Sequence, residues 1–207
     1  MYLEKPLQNY LDELASSQPT PGGGSAAALS GAIAAALASM VVRLTLGKAD
    51  YASVQQEMEI LLQHTERLRL RFQQLMQEDI NAYGQLSACF KMPRETPEER
   101  EKRAKAIQER LAEAALVPLE VAERATELMQ YCKRIAEIGN RNVLSDVATG
   151  AMLAAGAGDG AAWMVRTNVR AMKDQELVHT LNQRLSKALD SIATYKQQVA
   201  SSVGERA

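Results

Sequence analysis

The chain of 207 residues is short of rings: Phe, Tyr and Trp make up 4% of it, with a single Trp. Sheet proteins lean on aromatic and β-branched residues, so this scarcity argues against a β-rich fold. Net charge is nearly absent too, with 24 Lys and Arg against 25 Asp and Glu. That balance excludes a nucleic-acid partner held by bulk positive charge. Two cysteines, Cys89 and Cys132, make no disulfide framework, and neither has a metal-ligand neighbour in sequence. His64 and His179 stand alone, so neither a metal site nor a Ser-His-Asp triad is read. The opening Met1-Tyr2-Leu3-Glu4-Lys5-Pro6 lacks the basic-then-apolar order of a signal peptide, and a cytoplasmic address is expected by default. Residues 15–42 carry no charge, but Pro19, Pro21 and the triple glycine break the first third. The remainder is mostly Ala, Ser and Gly, too weakly apolar to insert well, so no membrane partner is expected.

What the chain has in abundance is alanine, about a sixth of all residues, within a hydrophobic share of 46% and a charged share of 24%. These are the proportions of a folded domain, and Ala, Leu, Val and Met without rings suit closely packed helices. Leu3, Leu7, Tyr10/Leu11 and Leu14 mark a first amphipathic helix that ends near Ala15, followed by a Ser/Pro/Gly loop over residues 16–24. Ser25 is a natural N-cap for the Ala-rich run that stops at Gly47. Within that run Ala27, Gly31, Ala35 and Ser39 recur every four residues, a ridge that lets a second helix or a second subunit approach closely. A long helix is predicted over 53–90, whole or bent at Gly84. Thr96-Pro97-Glu98-Glu99 is a strong helix start with a capping-box Glu, and that helix is expected to kink at Pro118 and close at Gly139. A small-residue helix is predicted over 142–157, interrupted by the glycines of 156–160, then a further helix to Met172 and a last one over 174–203. The expectation is an all-α, single-domain bundle of long antiparallel helices spanning 1–207, one with a proline kink.

Function is sought where polar residues occupy apolar positions. In the stripe Phe72, Leu75/Met76, Tyr83, Leu86 and Phe90, Asp79 takes a buried place. A carboxylate there needs strong partners or an elevated pKa, and either state suits acid–base work. A structural Asp that joins two helices, or one at the solvent edge of the stripe, fits the spacing equally. The run Gly139-Asn140-Arg141-Asn142-Val143-Leu144-Ser145-Asp146 ends one helix and starts another. It reads either as a polar cluster for a ligand or as capping chemistry for a tight turn. Thr20-Pro21-Gly22-Gly23-Gly24-Ser25 before a helix can present amides to an anion, but no Gly-Lys-Ser/Thr follows, so it is no P-loop. Arg43, Lys48 and Arg94 are further basic marks. Arg166 and Arg170, one turn apart, share a face that could grip an acidic tail, although most surface Arg do not. The mixed charges of 98–105 look like a solvated face.

These stretches, in order, resemble the formiminotetrahydrofolate cyclodeaminase / methenyltetrahydrofolate cyclohydrolase family. Thr20 to Ala28 leads into Gly31, Ser39-Met40-Val41 and Gly47-Lys48. Glu78-Asp79-Ile80-Asn81-Ala82-Tyr83 is similar to the family's Asp-x-Asp-Ala-x-Ala-Phe segment, and Met92-Pro93-Arg94 through Glu99 to its Leu-Pro-Lys-x-Thr-x-Glu-Glu turn. Val117-Pro118-Leu119 and Gly139-Asn140-x-Asn142-x-x-Ser145-Asp146 match two more motifs. Gln77 replaces the family's frequent first Asp, Arg94 its usual Lys, and Met164 a common Asn, with Asn168 matching. The resemblance implies an all-helical homodimer, or a dimer of dimers, that needs no cofactor and takes a tetrahydrofolate derivative, mono- or polyglutamylated, as substrate. The implied reaction is conversion of 5-formiminotetrahydrofolate to 5,10-methenyltetrahydrofolate and ammonia, or alternatively hydrolysis of the methenyl compound to 10-formyltetrahydrofolate. Asp79 would carry the proton and Asp146 would orient it or read the pterin, with Asn140, Asn142 and Ser145 beside it. Gly22, Gly23, Gly24 and Ser25 would cover the ring, Arg43, Lys48, Arg94 and Arg166 would meet carboxylates, and Asn168 would line the site. An inactive dimeric scaffold of the same fold is the non-enzymatic alternative.

Overall fold

Helix α1 (Leu7–Leu14) precedes a loop that ends at the Ala-rich α2 (Gly23–Arg43), and four longer helices follow: α3 (Gln55–Phe90), α4 (Pro97–Ile138), α5 (Leu144–Val169) and α6 (Gln175–Arg206). The computed structural model describes residues 2–206, and among these the only other regular elements are short 3₁₀ turns. The all-α expectation holds. Helix α2 is the central element, packed against α3, α4 and α5, while α6 covers α4 and α5.

Small side chains explain that arrangement. Ala28, Ala34, Ala35, Ala38, Val41 and Val42 on α2 share one core with Ala151, Ala154, Ala155 and Ala161 on α5. Gly150 faces the Ala34 carbonyl and Gly160 faces Ala27, so the two helices run antiparallel at close range. The ridge of Ala27, Gly31, Ala35 and Ser39 turns inward. A β-carbon on Gly31 would lie 2.5 Å from the Phe72 ring, and Ser39 Oγ donates to Thr65 Oγ1 at 2.9 Å. The ridge is therefore packed within the chain, Gly31 and Ser39 against α3 and Ala27 against α5. By length and composition α2 could cross a membrane, yet most of it is buried among the other helices.

Several boundaries differ from expectation. Helix α5 is unbroken through Gly156, Gly158 and Gly160. Glycine costs a helix about 1 kcal/mol, but a side chain at position 158 would run into Ile192 of α6, so packing requires it. Helix α3 is likewise continuous across Gly84. Helix α2 begins at Gly23, with Gly22 as N-cap, so Ser25 lies inside the first turn and is not the cap. The Thr96 capping box forms as read: Glu99 N–H donates to Thr96 Oγ1 at 3.2 Å and Thr96 N–H to Glu99 Oε2 at 3.1 Å. Pro118 is buried within α4. Along the α3–α4 seam Arg134 grips Glu57 at 2.6 and 2.9 Å, and Arg71 grips Glu120 at 2.9 and 2.8 Å. Those side chains are partly exposed, so they set helix register more than they stabilise.

Candidate active site

At the N-terminal end of α2 a cleft of about 250 Å³ opens between the Pro19–Thr20 loop, the glycines 22–24, Asp79, Ala82 and Tyr83 of α3, Ala114 of α4, and Met164, Thr167 and Asn168 of α5. Pockets that enclose a drug-sized ligand run from roughly 300 to 1,000 Å³, so this one has room for a ring system but not for a long tail as well. Its walls explain the local sequence. Gly24 has no side chain because the Asp79 carboxylate occupies the space a β-carbon would take, and Gly23 leaves room for the Met164 thioether. Asn168 Nδ2 donates to the Ala114 carbonyl at 2.8 Å, which ties α5 to α4 across the floor.

Asp79 is the one charged side chain in this lining. Burial among apolar neighbours pushes its pKa up from 3.8 to about 6, and the Ser25 backbone N–H opposes the rise by hydrogen bonding to the ionised form. Such a group exchanges protons near neutrality and has no cation beside it to hold it ionised. The carboxylate lies in the cleft wall and, through the Ser25 amide, also joins α3 to α2.

Other predicted residues fall differently. Ser25 is fully buried. Its Oγ donates to the Gly22 carbonyl at 2.9 Å and contacts Tyr10 Oη at 3.0 Å, so the side chain cannot touch a substrate and only its amide serves the site. Arg166 is exposed on α5, one residue before Thr167, with its guanidinium 5.3 Å over the Trp163 ring. Arg94 lies in the exposed turn after α3, beyond the eleven residues that separate Asp79 from Phe90, or about 16 Å of helix.

The structure does not bring Asp146, Asn140, Asn142 or Ser145 to Asp79 within one chain. Asn140 is buried at the opposite end of α2, where its backbone N–H donates to Thr45 Oγ1 at 3.0 Å and its Nδ2 to the Leu44 carbonyl at 2.9 Å. Its Oδ1 accepts from the Asn142 N–H at 3.1 Å, so Asn140 does capping work and has no group aimed at Asp79. Asp146 occupies the first turn of α5 at this end, and Ser145 beside it is exposed. Arg43, paired with Glu66 at 3.2 Å, and the exposed Lys48 belong here too. The 21 residues of α2 separate the two clusters by about 30 Å. The reason is topological: α2 and α5 are antiparallel, so the start of α2 meets the end of α5. Among the described residues no group of three or more His, Cys, Asp or Glu is placed to hold a metal ion.

Tyr10, Ala114 and Thr167 belong to this site or its support and were not singled out by sequence. Tyr10 reads as one more core residue of an amphipathic helix, and nothing in the linear pattern reveals its serine partner.

Comparison with known proteins gives consistent matches. A family model described as formiminotransferase-cyclodeaminase matches residues 6–187. A methenyltetrahydrofolate cyclohydrolase of Methylorubrum extorquens is 36% identical over 198 residues, 95% of each chain. The formimidoyltransferase-cyclodeaminase of Mus musculus is 32% identical over 99% of this chain, which spans 38% of that longer protein. The crystal structure of formiminotetrahydrofolate cyclodeaminase from Thermotoga maritima superposes with a TM-score of 0.88 at 28% identity, covering 98% of both chains.

Proposed function

The chain belongs to the formiminotransferase-cyclodeaminase family, and on that footing we propose that it is a folate one-carbon enzyme that converts 5-formiminotetrahydrofolate to 5,10-methenyltetrahydrofolate and ammonia. The observation that carries the reading is Asp79, a single carboxylate with a pKa near 6 in a cleft sized for a ring. In the reaction N10 attacks the formimino carbon on N5 and a tetrahedral centre forms. With the formimino group entering protonated, as N5–CH=NH2+, Asp79 takes the N10 proton and returns it to the amino group, which leaves as ammonia while the cationic amidinium of the five-membered ring forms. Atoms balance with no redox partner and no further cofactor.

A specific observation favours a second reading. The relative at 36% identity, matched along nearly its whole length, is named a methenyltetrahydrofolate cyclohydrolase. Hydrolysis uses the same carbon: water adds to the amidinium, Asp79 accepts its proton, and one C–N bond opens. One experiment separates the two. Purified protein is offered each substrate while ammonia and the methenyl chromophore are followed. Appearance of both from the formimino compound supports cyclodeamination, whereas loss of chromophore without formimino turnover supports hydrolysis. No reaction with either sinks the enzyme reading.

We further infer a homodimer joined through α2 and α5. Their outer face exposes Ile33, Met40, Leu44, Met152 and Trp163, the last at 65%, an apolar stripe that runs between the two polar clusters. A two-fold axis through this face would set the Asp79 end of one copy over the Asp146 end of the other. Asp146, Asn142 and Lys48 of a second copy would then stand near the cleft, with Arg166 at its mouth for the substrate's carboxylates.

A further inference from the structure

Helix α1 has one buried side chain, Tyr10, which is 3% exposed, while its Leu7 and Leu11 face outward. A phenolic hydroxyl taken out of water needs a partner. It has one in Ser25 Oγ at 3.0 Å. A serine hydroxyl carries a single hydrogen, and Ser25 directs it to the Gly22 carbonyl at 2.9 Å. Tyr10 is therefore the donor, and the chain of bonds runs from Tyr10 through Ser25 to Gly22. These bonds clasp the Gly22–Gly24 turn from outside, while Asp79 presses on the same turn from inside at Gly24. The Tyr2 and Tyr10 rings meet in a T-shaped contact with their centroids 5.4 Å apart.

We propose that Tyr10 is a positioning residue for Asp79: acting through Ser25, its hydroxyl fixes the first turn of α2 and so aims the Ser25 amide at the carboxylate. As a statement about turnover this rests on Asp79 being the proton carrier; as a statement about geometry it does not. The surroundings of Asp79 leave few competing influences. Helix α2 presents Gly24 and the Ser25 amide, α4 presents Ala114, and α5 presents Met164, Thr167 and Asn168. Tyr83 lies one turn along α3, and Tyr10 is the titratable group from another element that senses the Asp79 charge. The Ser25 amide is the one influence that holds the carboxylate's pKa down against burial, so loosening that turn must move it upward.

The test uses Tyr10→Phe, which keeps the ring and deletes the hydroxyl, and Ser25→Ala, which keeps the amide and deletes the relay. Asp79 is followed by ¹³C-carboxyl NMR, its signal identified by its loss in Asp79→Asn. Each variant is expected to raise the Asp79 midpoint by about half a pH unit, and the double variant no further than either single one. With folate substrate, kcat falls about tenfold with KM within about twofold, and the limb of the pH profile set by Asp79 moves up with the NMR midpoint. An unchanged midpoint in folded Tyr10→Phe, or additive effects in the double variant, overturns the proposal. Should Tyr10→Phe fail to fold by circular dichroism, Ser25→Ala alone decides in the same way. If the midpoint moves while wild-type protein turns over neither folate, the coupling stands and the enzymatic reading falls.

Discussion

Asp79 is costly to ionise where it sits, and that cost has a measurable direction. Its pKa is about 6 in the fold against 3.8 in an unstructured chain. Between those values the folded form binds more protons than the unfolded one, so stability falls as pH rises through this window and stays lower above it. Asp79→Asn carries no charge at any pH and keeps an acceptor for the Ser25 amide. It should be more stable than wild type by about 3 kcal/mol at pH 8, the gain vanishing below about pH 4, as urea unfolding at several pH values will show. Turnover should fall about a hundredfold or more in the same variant, and equal turnover would remove Asp79 from the chemistry. Gly24→Ala makes a second prediction for a single residue. Alanine improves helix propensity, but its methyl group would displace the carboxylate, so kcat should drop at least about tenfold while the melting temperature changes little. For single residues the sequence was informative about Asp79, because a charge in an apolar stripe is visible in one dimension. Ser25 was misread for the converse reason: whether a hydroxyl faces a ligand or a neighbouring tyrosine depends on an element fifteen residues away.

The elements are set by small residues, and their glycines separate into two kinds. Gly31 is pressed against Phe72, whereas a β-carbon added at Gly84 on α3 would meet nothing within 4 Å. Gly31→Ala should cost about 1–3 kcal/mol by overpacking despite its better propensity. Gly84→Ala should instead gain up to about 1 kcal/mol, and thermal unfolding of the pair will show opposite signs. The glycines of α5 explain the predicted interruption that does not occur. Three glycines within five residues look like a break when only propensity is weighed. Once α6 and α2 are in place, Gly158 is what lets α6 close on α5 and Gly160 rests against Ala27 of α2, while Gly156 faces open space. Caps were easier to read. Thr96, Pro97 and Glu99 satisfy each other locally, so their meaning needed no distant partner.

Across the whole molecule the two polar clusters present a geometric problem that one chain does not solve. The proposed pairing of α2/α5 faces would solve it, and this is open to a direct test. Ile33→Glu with Met152→Glu should convert a dimer to a monomer in sedimentation velocity and remove activity, since charges would replace apolar contacts. Mixing inactive Asp79→Asn with inactive Asp146→Asn should restore about a quarter of wild-type turnover. Half of the randomly reassorted dimers would be mixed, each with one intact site of two. No recovery after exchange of subunits would place both residues' roles within single chains, or remove Asp146 from the site.

The helical class, most helix boundaries, the capping box and the unusual carboxylate were all legible in the linear chain. Each rests on local periodicity, local hydrogen bonds, or a charge out of place in a stripe. The order of the motifs pointed to the family for the same reason, since motif order is a linear property. Three outcomes waited for the packed helices: the Ala27–Ser39 ridge packs inside the chain, Ser25 answers to Tyr10, and Asp146 stands about 30 Å from Asp79 of the same chain. They depend on which helix ends meet, and antiparallel packing puts the two motifs of one chain at opposite ends of α2.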